Sequence, residues 1–292
     1  MPDSLASFHP VLQEWFKNAF SFPTPPQEKG WPEIDGGHNV LLLAPTGSGK
    51  TLAAFFKCLD ILYKKLLSGH SAEHTGVQIL YVSPLKALNN DMYKNLQTPL
   101  EGISRMGMEM GCEMPLITTA VRTGDTSTSE RQRMLRKPPH VLITTPESLF
   151  LMLSSGARNI LKTTRFVIID EIHSLLPNKR GCHLALSLER LQNLVGKQQF
   201  QRIGLSATIH PLDEAAKFLV GGGRDCIIID SGQRKGYDLA VELPLPDLRL
   251  LPERSVWPAI YRKLHQLIQD HDTTLIFVNN RRQAERIAAN LN

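Results

Sequence analysis

The segment from Ala44 to Thr51 (APTGSGKT) has the residue types that hold a polyphosphate. Gly47 and Gly49 tolerate backbone angles that other residues avoid, so consecutive N–H groups can converge on one phosphate. A strand-like run precedes the segment and a helical pattern follows it, and a helix N-terminus attracts anions. The residues expected to contact the phosphates of a nucleotide are Thr46, Gly47, Ser48, Gly49, Lys50 and Thr51.

Two side chains of this phosphate loop have specific predicted roles. The Lys50 ammonium would reach the β- and γ-phosphates, and the Thr51 hydroxyl would be placed on Mg²⁺. The pattern GxxxxGK[ST] normally begins with glycine, whereas this sequence has Ala44, which ends the preceding strand pattern. The alternative is a glycine-rich turn that only caps a helix, but the strand–loop–helix context favours nucleotide binding.

A pair of carboxylates, Asp170 and Glu171, follows directly after the apolar run Phe166–Ile169. Charged groups at the end of a buried strand need a partner, and Mg²⁺ is the obvious one. We expect Asp170 to hold the metal, directly or through water, and Glu171 to orient and deprotonate an attacking water. The alternative is an exposed acidic pair that caps the following helix, which the presence of a phosphate loop makes the weaker interpretation.

Short apolar runs alternate with longer segments of helical period along the chain. Continuous apolar strands between helices predict an α/β fold with a mostly parallel sheet covered by helices on both faces. Ligands of such sheets bind beyond the carboxyl ends of the strands, where both motifs fall. The main predicted strands lie at 39–44, 77–83, 140–145, 165–170, 202–207, 225–230 and 274–279.

The segment after the phosphate loop has apolar residues at helical spacing from Leu52 to Leu67. This spacing predicts an amphipathic helix that buries one stripe and ends near Gly69. Its polar face is expected to expose Lys57, Lys64 and Lys65.

Composition adds broader expectations about partners and location. Lysine and arginine outnumber aspartate and glutamate by 33 to 28, and this net charge of +5 mildly favours a polyanionic partner. The four cysteines contain no CxxC pair, so we expect buried free thiols in a reduced, cytoplasmic protein, without a zinc site. No apolar run approaches the roughly 18–20 residues of a membrane-spanning helix, and no signal peptide is predicted.

The sequence pattern changes after residue 230. Residues 231–258 are rich in proline and are expected to form a linker with one strand at 237–243 (YDLAVEL). Residues 259–292 hold one strand pattern between helical segments, too little to bury an α/β core. We therefore expect a complete domain at 1–230 and the start of a second at 259–292, with apolar surface exposed around Leu275–Val278.

Together the motifs resemble those of superfamily-two helicases, which are built from RecA-like domains. The run Asp170–His173 (DEIH) resembles their DExH box, and 206–208 (SAT) resembles the motif that couples ATP hydrolysis to strand movement. Residues 20–27 resemble the Q motif, in which Gln27 would read adenine. The resemblance implies ATP and Mg²⁺ as ligands. It adds Phe20 and Gln27 to the nucleotide site and His173, Ser206 and Thr208 to the catalytic set of Lys50, Asp170 and Glu171.

His173 has two interpretations. It could bond toward the segment 206–208 and relay the state of the γ-phosphate, or it could be a satisfied structural histidine. Candidate nucleic-acid contacts come from 83–88 (SPLKAL) and 144–149 (TTPESL), which resemble motifs Ia and Ib of the family. Backbone phosphates need charge and hydrogen-bond donors more than sequence readout. The candidates are Pro84, Lys86, Arg122, Thr144, Thr145 and Pro146, together with Arg180; a solvated charge or a helix cap is the alternative for each.

The sequence between the motifs is similar to that of the Lhr (large helicase-related) family across essentially the whole chain. The similarity is carried by FHPVLQEWF (8–16), the WP pair at 31–32, RTGDTSTSERQRM (122–134) and DEIHSLLPNKRGCHLALSLERL (170–191). It implies an ATP-dependent helicase or translocase acting on DNA or RNA–DNA duplexes with single-stranded tails, and it suggests a role in DNA repair. Residues 275–279 resemble motif IV, whereas motifs V and VI are absent. The alternative is therefore an ATP- and nucleic-acid-binding fragment with little turnover, unless the rest of a longer chain or a partner supplies an arginine finger.

Overall fold

The computed structural model describes residues 4–69, 76–196, 199–207, 209–232, 238–244 and 253–291, without the side chains of residues 86–88, 90 and 253–255. Thr208 and the side chain of Lys86 thus lie outside the described part of the chain. The chain divides into two compact units, Met1–Lys235 and Gly236–Asn292.

Seven short strands form the sheet of the first unit. They are β1 (Val40–Leu43), β2 (Ile79–Val82), β3 (Thr119–Arg122), β4 (Val141–Thr144), β5 (Phe166–Ile169), β6 (Gln201–Ser206) and β7 (Ile227–Asp230). Their order across the sheet is β3-β4-β2-β5-β6-β1-β7, and every pair is parallel. β1, β2, β4 and β5 are buried along their whole length because both of their faces are covered.

Helices connect the strands and cover both faces of the sheet. They are α1 (Pro10–Ala19), α2 (Pro25–Asp35), α3 (Lys50–Leu67), α4 (Lys86–Glu109), α5 (Thr128–Arg136), α6 (Pro146–Leu153), α7 (Ile172–Leu175), α8 (Lys179–Val195) and α9 (Leu212–Val220), with a 3₁₀ helix at Gly156–Leu161. Alternate residues of a strand point to opposite faces, so Leu42 packs in one core with α1–α4 and Leu41 in another with α6, α8 and α9. The predicted α/β fold is confirmed.

Six of the seven predicted strand runs form strands, but β3 was not among them. Its sequence, TAVR, is short and half-buried, and it lies at one edge of the sheet. The buried-run criterion therefore misses it, because that criterion detects strands covered on both faces.

The second unit contains α10 (Glu253–Gln269) and α11 (Arg281–Leu291) but not the predicted strands. Residues 273–278 and the described part of the segment 237–243 have no regular secondary structure. A strand needs a neighbouring strand for its backbone hydrogen bonds. The described residues of this unit contain no strand that could be such a neighbour. Leu275 and Phe277 are 78% and 90% exposed, so the predicted apolar surface is present.

Lys57 is the clearest correction to the sequence prediction. The helix α3 ends near Gly69 as expected, but the Lys57 side chain is fully buried instead of exposed. Its ammonium lies 2.9 Å from an Asp35 oxygen and 3.1 Å from an Asp60 oxygen, and it donates to Ser7 Oγ at 2.9 Å. It also lies 4.2 Å from the ring centre of Phe8, so a buried ion cluster joins the N-terminal segment to α3.

The cysteines also differ from expectation in their burial. All four are free thiols, yet Cys182 is exposed and only Cys58 is fully buried. Burial raises the pKa of the half-buried Cys226 thiol to about 11, so that group stays protonated near neutral pH.

In the described part of the chain, none of the helices combines the length and apolar character that crossing a membrane requires.

Candidate active site

The three predicted catalytic segments follow three neighbouring strands. The phosphate loop follows β1, Ser206 ends β6, and Asp170 follows β5; β6 lies between the other two strands. Two backbone hydrogen bonds continue the sheet into this region, from Ala44 N to Ser206 O at 3.2 Å and from Asp170 N to Val82 O at 2.9 Å. The carboxyl ends of the strands therefore bring these segments to one edge of the sheet.

The phosphate loop has the backbone that its sequence predicts. Gly47 and Gly49 have φ angles of 82° and 80°, in the left-handed region that favours glycine. The loop leads directly into α3, whose first residue is Lys50, and none of the described side chains caps this N-terminus. Its free N–H groups and partial positive charge are therefore available to an anion.

The exposure of the loop residues suits a bound nucleotide. Thr46 and Gly47 are exposed, Thr51 is half-buried, and Lys50 is buried. Among the described residues, no hydrogen-bond partner of the buried Ser48 hydroxyl is found. Such a group carries a desolvation cost that a ligand with hydrogen-bonding groups would remove.

The side chain of Gln27 lies between the start of α2 and the phosphate loop. Its side chain is only 3% exposed. Its amide oxygen accepts from Thr24 N at 2.9 Å, and its amide nitrogen donates to Gly49 O at 3.4 Å. Gln27 therefore joins α2 to the phosphate loop. Its amide oxygen and nitrogen each retain one further hydrogen-bonding site, so its reading of adenine stays a prediction. Phe20 lies at the end of α1, is 42% exposed, and packs against the rings of Trp15 and Phe16.

Asp170 is a buried carboxylate with both oxygens engaged. One oxygen accepts from the hydroxyl of Tyr81, and the other accepts from Glu171 N at 2.8 Å. Burial raises the pKa of the Tyr81 hydroxyl well above its usual range, and the adjacent Asp170 charge raises it further, so this hydroxyl remains a donor. Sequence reasoning missed Tyr81, because a tyrosine within an apolar run reads as a core residue.

Glu171 begins a sharp turn between β5 and α7. Its φ angle is 54°, a left-handed value that is uncommon for a residue other than glycine. The Asp170 carboxylate bonded to its N–H helps to hold this conformation. Backbone strain of this kind occurs where the surrounding structure fixes it, as at catalytic positions.

His173 connects Glu171 to the end of β6. Its Nε2 lies 3.0 Å from Glu171 Oε2, while its Nδ1 lies 3.2 Å from Ser206 Oγ and 3.4 Å from Ala207 N. Ala207 N can only donate, so Nδ1 is an acceptor and, in the neutral ring, Nε2 carries the proton to Glu171. The bond from His173 toward the 206–208 segment is therefore present.

The residues around Asp170 fit a Mg²⁺ ion bound together with phosphates. Mg²⁺ prefers one or two carboxylates plus phosphate oxygens and water. The described residues contain no group of three or more histidine, cysteine, aspartate or glutamate side chains that could hold a metal ion by themselves. The Asp170 carboxylate and the Thr51 hydroxyl would hold the ion. Each Asp170 oxygen accepts one hydrogen bond and retains lone pairs for the metal.

Most of the predicted nucleic-acid residues occupy the neighbouring half of the same sheet edge, with their side chains engaged internally. Thr144 is buried and donates to Arg122 O at 2.7 Å. Thr145 caps α6 by accepting from Ser148 N at 3.3 Å, and it is also buried. Pro84 and Pro146 are buried as well. Contact of these threonine hydroxyls with a strand is therefore not supported, which leaves backbone groups and the N-terminus of α6.

The two predicted arginines have different surroundings. Burial lowers the pKa of Arg122, and the neighbouring Arg131 charge lowers it further. Arg131 Nη2 donates to Thr123 O and Gly124 O, but among the described residues no partner is found for the buried Arg122 Nη1 and Arg131 Nε. Cationic donors of this kind favour an anion. Arg180 instead pairs with Glu147 through two bonds, one of them at 3.0 Å. The bond from Arg180 lowers the pKa of Glu147, so this pair is an internal link between α8 and α6.

Comparison with known proteins assigns this arrangement to a family. The sequence profile of the DEAD/DEAH box helicases matches residues 24–216, which include the phosphate loop, Asp170 to His173 and Ser206. The Lhr helicase/probable uracil glycosylase of Mycolicibacterium smegmatis is 47% identical over 290 residues, covering 99% of this chain and 19% of that protein. The ATP-dependent helicase Lhr-Core of Methanocaldococcus jannaschii is 50% identical over 278 residues, covering 95% of this chain and 32% of that protein.

A solved structure agrees with these relatives. The Mycobacterium smegmatis helicase Lhr bound to ssDNA and AMP-PNP matches with a TM-score of 0.86 and 47% identity, over 99% of this chain and 36% of that one. The chain spans about a fifth to a third of the length of the curated relatives described above. Since the family profile covers most of its residues, the chain belongs to the DEAD/DEAH box helicases and resembles their Lhr members over nearly its whole length.

Proposed function

We propose that the chain is the first motor domain of an ATP-dependent nucleic-acid helicase or translocase. The observation that carries the proposal is the convergence of the phosphate loop, Asp170–Glu171 and Ser206 at the carboxyl ends of three adjacent strands. The resemblance to Lhr helicases, one of which is described bound to ssDNA and AMP-PNP, supports the same assignment.

We propose a role for each residue of the site. ATP phosphates would lie against the free N–H groups at the start of α3, with the Lys50 ammonium on the β- and γ-phosphates. The Glu171 carboxylate would take a proton from the attacking water, and the His173 Nε2–H bond would orient that carboxylate. Phe20 would line the base and Gln27 would read adenine, while the Gln27 amide nitrogen also bonds to Gly49 O of the phosphate loop.

A Mg²⁺ ion bound at Asp170 and Thr51 would neutralise charge on the phosphates and fix their orientation. The Asp170 carboxylate would hold it, and the N–H of Glu171 would keep that carboxylate in place. The segment 206–208 would sense the reaction through His173, because Ser206 and Ala207 both bond to the same ring nitrogen. Thr208 is proposed to act with them by resemblance.

The nucleic-acid strand is proposed to cross the edge formed by β2, β4 and β3. This half of the sheet adjoins the catalytic half through β5 and includes Arg122, with Arg131 nearby on α5. In the described part of the chain, Arg122 Nη1 and Arg131 Nε have no hydrogen-bond partner. Phosphate contacts from such groups are independent of base sequence. Pro84 and Pro146 would shape the track, and Lys86 is proposed as a contact by resemblance.

We also propose how the chain divides into domains. Residues 1–230 are proposed as the ATP-binding domain, 231–258 as a linker and 259–292 as the start of a second RecA-like domain. Cytoplasmic location and a role in DNA repair are proposed on the free thiols and the family resemblance.

Coupled binding of the two ligands tests the proposal. The affinity of the chain for a fluorescent ATP analogue is measured with and without saturating single-stranded DNA, and then with RNA of the same sequence. A motor domain predicts that one polymer tightens nucleotide binding by about 5- to 150-fold, and that the nucleotide tightens polymer binding equally. The Lys50→Ala variant is the control and should bind the polymer without this coupling. Equal nucleotide affinity in all conditions would contradict the proposal.

A further inference from the structure

We propose that Tyr81 is a positioning residue that orients the Asp170 carboxylate toward the metal ion of a bound nucleotide. The inference rests on the proposed function, because it concerns the side chain assigned there to Mg²⁺. It adds a residue of β2 to a site that is otherwise formed by the phosphate loop and the segments after β5 and β6.

The position of Tyr81 is fixed by the sheet. β2 and β5 are neighbours, with Tyr81 paired to Ile168 and Val82 to Ile169. Asp170 extends this ladder, since its N–H donates to Val82 O at 2.9 Å. The side chain of Tyr81 is 1% exposed and its hydroxyl reaches the nearer oxygen of Asp170. Both partners therefore lie on rigid, hydrogen-bonded backbone.

The hydrogen bond from Tyr81 leaves the Asp170 carboxylate able to bind a metal ion. Asp170 Oδ2 accepts from the Tyr81 hydroxyl, and Oδ1 accepts from Glu171 N at 2.8 Å. An ionised carboxylate has about four lone-pair sites, so two such bonds fix its plane and leave further sites for the ion or its water. Ordered partners behind a ligand hold it in the orientation that the metal requires.

The ring of Tyr81 is itself held by the helix that carries the phosphate loop. Its centre lies 5.2 Å from that of Phe55 on α3, whose first residues are Lys50 and Thr51. The other residues of β2 are Ile79, Leu80 and Val82. A phenylalanine would fill the same space in this apolar strand, so the hydroxyl is explained by its bond to Asp170.

The test compares nucleotide affinity in Mg²⁺ and in EDTA, so that its readout is the contribution of the metal to binding. The probe is a fluorescent, non-hydrolysable ATP analogue. Tyr81→Phe removes the hydroxyl and keeps the ring, and Tyr63→Phe is the matched control, because Tyr63 is a buried tyrosine of α3 in the same core. Asp170→Asn reports on the proposed metal site itself.

We expect the gain in affinity from Mg²⁺ to fall by about tenfold in Tyr81→Phe, the scale of one lost bond to a charged group. Affinity in EDTA should stay unchanged, as should both affinities in Tyr63→Phe. In the Asp170→Asn background, Tyr81→Phe should have no further effect on the Mg²⁺ gain. These results together would separate positioning from a general loss of stability.

Three results would overturn the inference. An unchanged Mg²⁺ gain in Tyr81→Phe, while Asp170→Asn removes that gain, would show that Asp170 needs no positioning by the hydroxyl. An equal loss of affinity with and without Mg²⁺ would assign Tyr81 to the fold. If Asp170→Asn itself leaves the Mg²⁺ gain intact, the proposed metal site fails and the inference fails with it.

Discussion

The Nδ1 atom of His173 lies 3.2 Å from the Ser206 hydroxyl, which joins the segment after β5 to the end of β6. The other ring nitrogen lies 3.0 Å from a Glu171 oxygen, so one imidazole contacts both the proposed base and the 206–208 segment. A displacement of Glu171 or of the 206–208 segment can thus be transmitted through the ring to the other.

Replacement of His173 by alanine should uncouple hydrolysis from the nucleic acid. We expect the stimulation of ATP hydrolysis by a single strand to fall by about tenfold, within the usual range of coupling between sites. Affinity for the ATP analogue should change little, because the ring does not belong to the phosphate loop. A His173→Ala chain with full strand stimulation would assign this histidine a structural role.

Nucleotide binding should require glycine at position 49. An alanine at this position would have a φ of 80° and a Cβ 2.8 Å from Gln27 Nε2. Gly37 has the same φ with open space around it, so Gly37→Ala is the matched control. Each variant should lose about 1–2 kcal/mol of unfolding free energy from the left-handed backbone. Only Gly49→Ala should also bind the ATP analogue at least about tenfold more weakly, or about 1.4 kcal/mol. Equal affinities in the two variants would contradict the role of this loop.

The buried ion cluster at Lys57 should stabilise the first unit. Lys57→Met would leave the buried Asp60 carboxylate with Lys64 as its remaining cation. Loss of one partner from a buried ion pair should lower the free energy of unfolding by about 3 kcal/mol, as measured by urea denaturation. Lys17→Met, at an exposed position on α1, is the control and should change it by less than about 0.5 kcal/mol. Similar midpoints for the two variants would refute the burial of this charge.

His9 should make stability depend on pH below neutrality. Burial lowers its pKa from the unfolded value of 6.5, and its Nδ1 accepts from Val11 N at 3.3 Å to cap α1. Because the unfolded chain then binds the proton more tightly, stability should be unaffected above pH 6.5 and should fall as the pH decreases from 6.5 toward the folded pKa. His9→Asn keeps a capping side chain without titrating, and it should flatten urea midpoints measured between pH 7 and pH 5.5. If the urea midpoint depends on pH equally in the wild-type chain and in His9→Asn, His9 is not the group that causes this dependence.

The sequence predicts those features that depend on local pattern. Continuous apolar runs locate six strands, and the phosphate loop has the glycine conformations that its residue types require. Parallel topology then places Asp170 and Ser206 near that loop, because the carboxyl ends of the strands share one edge.

The features that the sequence did not predict depend on tertiary contacts. Lys57 lies at a polar position of its helix and becomes buried because Asp35 and the N-terminal segment pack against it. Tyr81 reads as a core residue until Asp170 is placed beside it. Thr144 reads as an available hydroxyl until Arg122 O accepts its bond. Each of these partners is distant in sequence, so spacing along the chain carries no signal for the contact.

The most direct test of the account is steady-state ATP hydrolysis by the purified chain, with and without single-stranded DNA or RNA, alongside Glu171→Gln. A motor domain predicts hydrolysis that a strand stimulates and that Glu171→Gln lowers by about 10²–10⁴-fold, the usual contribution of a general base. Binding of the ATP analogue should persist in this variant. Binding of ATP by the wild-type chain without strand-stimulated turnover, or hydrolysis that Glu171→Gln leaves unchanged, would contradict the claim that these residues form a working motor site.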